Sequence, residues 1–61
     1  MNKIVRILMK RDNLTYNEAK DIYDSTRMMV LEAVHDDRYD EVEDILREEL
    51  GLEMDYIDYI L

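Results

Sequence analysis

Glu32 and His35 are the two side chains whose spacing comes closest to a known chemical arrangement. They stand three residues apart within a helical pattern, so both would lie on one side of a helix. Pairs of Glu-x-x-His motifs bind iron in di-metal carboxylate bundles, together with further carboxylates. This chain has one such motif and one histidine, and Glu32 falls among polar neighbours. We therefore predict no metal site and no bound cofactor.

Two other groupings with possible chemistry are weaker. The acidic turn 36–40 lacks the central glycine and the final glutamate of an EF-hand, so helix capping explains its acids better. Ser25 and His35 are ten residues apart on one helix, a separation of about 15 Å along its axis. The sequence has no glycine-rich phosphate loop. A chain of 61 residues also leaves little room for a pocket, so we predict that it is not an enzyme.

The longest helical pattern covers residues 16–35 and would position most of these groups. Thr15 followed by Glu18 matches the capping box that begins many helices. At about 100° per residue, one side of the helix is apolar and is expected to face the core. The members of this predicted core face are Ala19, Ile22, Tyr23, Thr26, Met29, Val30, Ala33 and Val34.

Met28 and Leu31 project from the opposite side of the same helix. A helix that is apolar on two sides is usually buried on two sides, so α-helix 16–35 is expected either to be surrounded by the other segments of the chain or to pack against a second copy. A chain of 61 residues buries a small core, and without cysteine it has no disulfide to stabilise it. We therefore predict that Met28 and Leu31 contact a second copy of the chain across a two-fold axis, which would make the protein a homodimer.

The composition predicts an all-α fold, because proline is absent and glycine occurs once. We expect a single helical domain over residues 1–61, a small three-helix bundle with a short fourth C-terminal helix. The predicted helices span about residues 2–11, 16–35, 38–50 and 54–60. Asn2 and Asp37 are predicted N-caps, and Gly51 is predicted to end the third helix in the left-handed conformation. No apolar run approaches the ~20 residues of a membrane span.

The net charge of −8 is unevenly distributed. Lys3, Arg6, Lys10 and Arg11 lie in the first eleven residues, where there is no acid. An acidic body repels nucleic acid and attracts basic protein surfaces, so we expect neither direct nucleic-acid binding nor membrane binding. One alternative is that Lys3, Arg6 and Lys10 on the basic N-terminal helix bind an anionic surface.

The acids and tyrosines of the C-terminal half suggest further contact surfaces. Glu41, Asp44 and Glu48 share the polar side of the third predicted helix, where spaced carboxylates could imitate phosphates towards a basic partner. Tyr39 fits the apolar side of the third predicted helix and is expected to face the core. Tyr56 and Tyr59, beside acids on the last helix, are expected at the surface and have the composition of a protein contact. The leading prediction is a small acidic protein-interaction module, homodimeric and non-catalytic.

Three segments, LTYNEA, D-x-Y-D-E-V-E-D-I-L and LGLEMDYI, give the chain a family resemblance. It resembles short uncharacterised all-helical proteins of bacteria and their phages, in which D-G-L-T-x-x-E-A opens the long helix and LGLE-P-D-Y closes the third. Here Asn13 replaces the glycine and Met54 the proline. The resemblance covers most of the chain and implies a phage or prophage setting in the cytoplasm of a bacterial host. The resemblance gives no activity. The alternative function is a phage-encoded inhibitor of a host nucleic-acid-binding or defence enzyme, which would act through an acidic surface that imitates DNA.

Overall fold

The computed structural model describes residues 1–61, and all of its regular elements are helical. They are α1 (Lys3–Arg11), α2 (Tyr16–His35), α3 (Asp40–Ile45), a π-helical turn (Leu46–Leu50) and a C-terminal 3₁₀ helix (Met54–Tyr59). The π-helical turn directly continues α3, so the two form one longer helical segment. The protein is therefore all-α, a small bundle of three helices followed by a short fourth, as the sequence predicted. None of its helices is long and apolar enough to cross a membrane.

The capping box at the start of α2 is confirmed. The Thr15 hydroxyl accepts the Glu18 N–H at 3.2 Å, and the Glu18 carboxylate accepts the Thr15 N–H at 2.9 Å. These two bonds satisfy backbone donors that a helix otherwise leaves free in its first turn. The hydrogen bond from the Thr15 backbone, followed by that with its side chain, lowers the pKa of Glu18 below its ordinary value of 4.5.

We expect Thr15→Ala to lower the free energy of unfolding by about 1 kcal/mol at pH 7. The part that depends on Glu18 should vary with pH, because a carboxyl whose pKa falls on folding stabilises the protein fully above its unfolded value of 4.5. That contribution is lost as the pH falls through the lower folded value. Urea unfolding of wild type and Glu18→Ala, which removes the side-chain acceptor, is followed by circular dichroism and should therefore give a difference that shrinks in acid. Equal stability of the two at pH 7 would contradict the capping role.

The core is a single cluster formed by every element. Eleven apolar residues are buried in it, from α1, α2, α3, the π-helical turn and the two segments that flank the 3₁₀ helix. They are Ile4, Val5, Leu8, Ala19, Val30, Ala33, Val42, Leu46, Leu50, Leu52 and Ile60. The 3₁₀ helix itself packs against this cluster through half-buried Tyr56 and Ile57. All seven ion pairs join residues no more than four positions apart. Packing, rather than charge, therefore holds the separate elements together.

A hydrogen-bonded cluster joins the two ends of the chain to α2. The Asn2 side chain caps α1 by accepting the Ile4 N–H at 2.7 Å, as predicted. Its amide nitrogen donates to the Tyr59 carbonyl at 2.8 Å, and the Tyr23 hydroxyl donates to the same carbonyl at 3.0 Å. The C-terminal 3₁₀ helix is thereby fixed against both α1 and α2.

The predicted start of the third helix at residue 38, with Asp37 as its cap, is wrong. The helix starts at Asp40, and Tyr39 occupies the cap position without a side-chain hydrogen bond. Asp37 instead adopts a left-handed backbone conformation, with φ of 58°. Aspartate tolerates this conformation, and here it reverses the chain so that the Arg38 N–H donates to the Ala33 carbonyl at 2.8 Å. Residues 38 and 39, which were predicted to begin the third helix, therefore lie in the connection between α2 and α3.

The prediction for Gly51 is confirmed, since this residue ends the π-helical turn in the left-handed conformation, with φ of 65°. The Leu52 N–H donates to the Leu46 carbonyl at 3.2 Å, one residue further back than in a Schellman motif. The acceptor is one residue further back because the segment Leu46–Leu50 is π-helical, with more residues per turn than an α-helix. The last predicted helix, 54–60, is also different: it is a tighter 3₁₀ helix, Met54–Tyr59.

The predicted burial of two tyrosines, Tyr39 and Tyr56, is wrong. Tyr39 was expected on the core side of the third helix, but it precedes the helix and is 58% exposed. Tyr56 was expected on the surface, but it is half-buried and packs against the core. Both differences follow from backbone changes, the late start of α3 and the 3₁₀ geometry of the last helix.

Candidate functional site

The side of α2 that faces away from the core carries the most exposed large apolar side chain of any helix. Met28 is 65% exposed. Leu31, one turn further on, is half-buried but lies outside the core cluster. At about 100° per residue, Met28 points almost directly away from the buried positions Thr26 and Val30. On the predicted second apolar side of α2, Met28 is therefore left exposed within one copy of the chain, while Leu31 is partly covered.

The prediction that Ile22 and Met29 belong to the core is wrong. They are 36% and 40% exposed, at one edge of the buried stripe. The buried residues of α2 are Ala19, Thr26, Val30 and Ala33, so the buried stripe is narrower than the predicted face. The eight-residue face predicted from the sequence spans about 140° of the helix, wider than a typical core stripe of ~100°. Because the predicted face was wider than a core stripe, the sequence already indicated that residues at its edge, such as Ile22 and Met29, would be exposed.

Met28 and Leu31 together form what we call the α2 apolar band. Ile22 and Met29 lie about 100–180° away from them around the helix, on the side next to the core stripe. Met28 is the exposed member of the band, and the flexible side chain of a methionine adapts to varied partner surfaces. Exposed apolar groups gathered on one element are typical of protein contacts. The band is therefore the best candidate for a binding surface on this molecule.

A shallow groove of about 230 Å³ runs beside the band between α2 and α3. Met29, Ala33 and Ile45 line its apolar part. Its rim carries the ion pair between Arg38 and Glu41, whose closest atoms are 3.1 Å apart. The groove is open to solvent, so it can extend an interface on the α2 apolar band but does not enclose a small molecule.

The larger concavity, of about 530 Å³, lies around Gly51 at the end of the π-helical turn. Most of its lining is polar or charged, and includes Glu43, Arg47, Glu53 and Asp55. Small-molecule pockets are usually enclosed and mainly apolar. This concavity has neither property, so it is a weaker candidate than the band.

The predicted acidic surface is present, but two of its three acids are paired. Glu41 lies 3.1 Å from Arg38, and Asp44 lies 3.1 Å from Arg47. Glu48 is exposed and forms no ion pair. Nearby arginines therefore cancel part of the negative charge that a basic partner would meet. Binding of such a partner through this surface stays a prediction.

The aromatic and basic surfaces near the termini meet at one place. The Lys3 ammonium lies 5.3 Å from the centre of the Tyr59 ring, a cation–π contact. The Tyr56 and Tyr59 rings are 6.1 Å apart. These contacts surround the hydrogen-bonded cluster at the chain ends, so they serve the fold. Arg6 and Lys10 remain exposed on α1 and form no ion pair.

The Glu32–His35 motif is not assembled into a metal site. The His35 side chain is 87% exposed, and its Nδ1 atom lies 3.3 Å from an Asp36 carboxylate oxygen. No group of three or more histidine, cysteine, aspartate or glutamate side chains is placed to hold a metal ion. The motif therefore contributes exposed polar groups to the far side of α2.

The side chains whose pKa values are shifted line neither of the two concavities. The hydrogen bond to Asp24 raises the pKa of Lys20, and that from Arg11 lowers the pKa of Asp12. Both pairs are local and on the surface, whereas shifted groups at catalytic sites usually converge in a cleft. No model of a known protein family, no curated protein and no solved structure matches the chain.

Proposed function

We propose that the protein is a small, non-catalytic interaction module that forms a homodimer through the α2 apolar band. The observation that carries this proposal is the position of Met28, 65% exposed midway along the longest helix, with Leu31 one turn away. Covering these side chains would remove apolar surface from water, which favours association by about 25 cal/mol per Å². Within one copy of the chain Met28 stays exposed, and Leu31 is only half-buried.

The small core adds a reason for self-association. Only twelve of the 61 residues are buried. Domains of this size leave a large fraction of their surface in water and are marginally stable alone. Burying Met28 and Leu31 between two copies would add a second apolar cluster to the first. In an obligate dimer, that cluster contributes to the stability of the fold itself.

The shape of the molecule suits such an interface. The molecule is 33 Å long, and α2, with 20 residues, extends about 30 Å of that length. A specific interface buries roughly 800 Å² on each partner, about a fifth of the 4307 Å² surface of this chain. The far side of one long helix with the adjoining groove can supply a contact of that size. A two-fold axis lets the same residues serve both copies.

Sedimentation equilibrium over a range of concentrations tests this proposal. The expected mass is twice 7.4 kDa at high concentration, and it should fall towards 7.4 kDa on dilution. Far-ultraviolet circular dichroism of the same samples reports whether the helices persist in the monomer. A mass that stays at 7.4 kDa up to about 1 mM, where even weak complexes are populated, would overturn the proposal.

A further inference from the structure

The far side of α2 carries more than the apolar pair, and its residues follow a regular order. Asp21, Asp24, Met28, Leu31 and His35 are separated by steps of three, four, three and four residues. This is the spacing of the positions that face the partner helix in a two-stranded coiled coil. Acids occupy the N-terminal half of the stripe, the apolar pair lies next, and a histidine ends it. The two ends of the stripe therefore differ in chemistry, so parallel and antiparallel pairing bring different side chains together.

That order distinguishes the two ways in which a pair of α2 helices could pack. In a parallel dimer each residue faces the same residue of the partner chain, so Asp21 would face the partner's Asp21 and Asp24 the partner's Asp24. Like charges placed directly opposite each other oppose association. In an antiparallel dimer centred between Met28 and Leu31, Met28 of each copy faces Leu31 of the other copy. Asp24 then faces the partner's His35, and the two-fold axis repeats this contact.

We propose that the two copies pack their α2 helices antiparallel, with the two-fold axis between Met28 and Leu31. This inference rests on the proposed homodimer and adds its geometry. The apolar band forms the centre of the interface, and two Asp24–His35 contacts between the copies flank it. The charges of the stripe select the orientation, and the apolar side chains supply the affinity.

The groups needed for the flanking contacts are accessible in one copy. The Asp24 side chain is 52% exposed, and only one of its oxygens, Oδ2, bonds to Lys20. The His35 side chain is 87% exposed, and its Nδ1 atom contacts Asp36. Oδ1 of Asp24 and Nε2 of His35 therefore remain free to meet across the interface.

Disulfide cross-linking tests the orientation directly, because the chain contains no cysteine of its own. Two full-length variants, Asp24→Cys and His35→Cys, are mixed in equal amounts and oxidised gently, and the linked species are weighed by mass spectrometry. In the antiparallel heterodimer the two cysteines face each other, while the unmodified His35 and Asp24 still pair at the other end. The mixed disulfide should exceed both homodisulfides together by at least about tenfold, beyond the even split that chance would give. Glu49→Cys, exposed on the π-helical turn, measures random oxidation.

Each outcome decides a separate point. Dominant homodisulfides in both variants would show parallel helices, which overturns the orientation and leaves the homodimer. No cross-link above the Glu49→Cys level in a sample that sediments as a dimer would place the interface elsewhere, which also overturns the orientation. A monomeric mass for the wild type would overturn the proposed function itself.

Discussion

Replacing Met28 and Leu31 together by lysine is expected to turn the dimer into a folded monomer of 7.4 kDa. The double variant removes four apolar side chains from one interface and places four ammonium groups there. Burying each apolar side chain contributes on the order of 1.5–3 kcal/mol, so the dissociation constant should rise about 1000-fold or more. The helices should persist because neither residue belongs to the core cluster. Sedimentation equilibrium and circular dichroism measure the two expectations.

A matched control separates the loss of apolar contact from the change in charge. Glu49→Gln/Glu53→Gln alters the net charge of −8 by the same two units, at exposed positions outside α2. This control should sediment like the wild type. If the lysine variant keeps the wild-type mass, or if both variants dissociate equally, the α2 apolar band is not the interface.

Leu46→Ala is expected to leave the protein largely unfolded at 25 °C. Leu46 is fully buried and lies where α3 passes into the π-helical turn. Loss of a buried leucine costs about 2–5 kcal/mol, whereas a domain of this size has only about 3–5 kcal/mol of stability from its core. Urea and thermal unfolding, followed by circular dichroism, should show a large drop in both midpoints or no folded baseline.

Leu61→Ala is the matched control for Leu46→Ala, because it makes the same substitution at an exposed position. Leu61 is 58% exposed, so Leu61→Ala should change the free energy of unfolding by less than about 0.5 kcal/mol. The contrast between the two variants tests whether packing at the π-helical turn stabilises the fold. A Leu46→Ala variant with the wild-type midpoint would contradict the central place of this residue in the core.

The parts of the fold that depend on local chemistry could be predicted from the sequence. The capping box of Thr15 and Glu18, the Asn2 cap and the left-handed Gly51 each involve residues within a few positions of one another. Their preferences are nearly independent of the rest of the chain. The limits of α2 and the end of the third helical segment follow from them.

The errors lie where tertiary packing overrides local preference. Asp37 could cap a helix or reverse the chain, and its choice depends on how α3 meets α2. The apolar pattern indicates that Leu46 and Leu50 share one face, but their i, i+4 spacing fits an ordinary α-helix, so it does not predict the π-helical turn between them. Helix periodicity likewise gave the direction of Ile22 and Met29 but not how closely the neighbouring helices approach. For Met28, direction alone was enough, because it points away from every other element.

The acidic and basic surfaces have a different standing from the apolar band. Glu41 and Asp44 already have arginine partners, and Lys3 lies against Tyr59. A new partner would have to compete with these contacts. Met28 has no comparable contact in one copy, so its burial in a dimer displaces only water. This difference is why the proposal rests on α2 rather than on the charged faces.

Contact between Met28 of one copy and Leu31 of another can be observed directly by isotope-filtered nuclear magnetic resonance. Chains labelled at the methionine methyl groups are mixed with chains labelled differently at the leucine methyl groups, and only contacts between copies are recorded. The expected result is a strong cross-peak between the Met28 methyl of one chain and the Leu31 methyls of its partner. Its absence at a concentration where the sample sediments as a dimer, or a Met28 methyl that contacts only water, would contradict the burial of this side of α2 by a second copy.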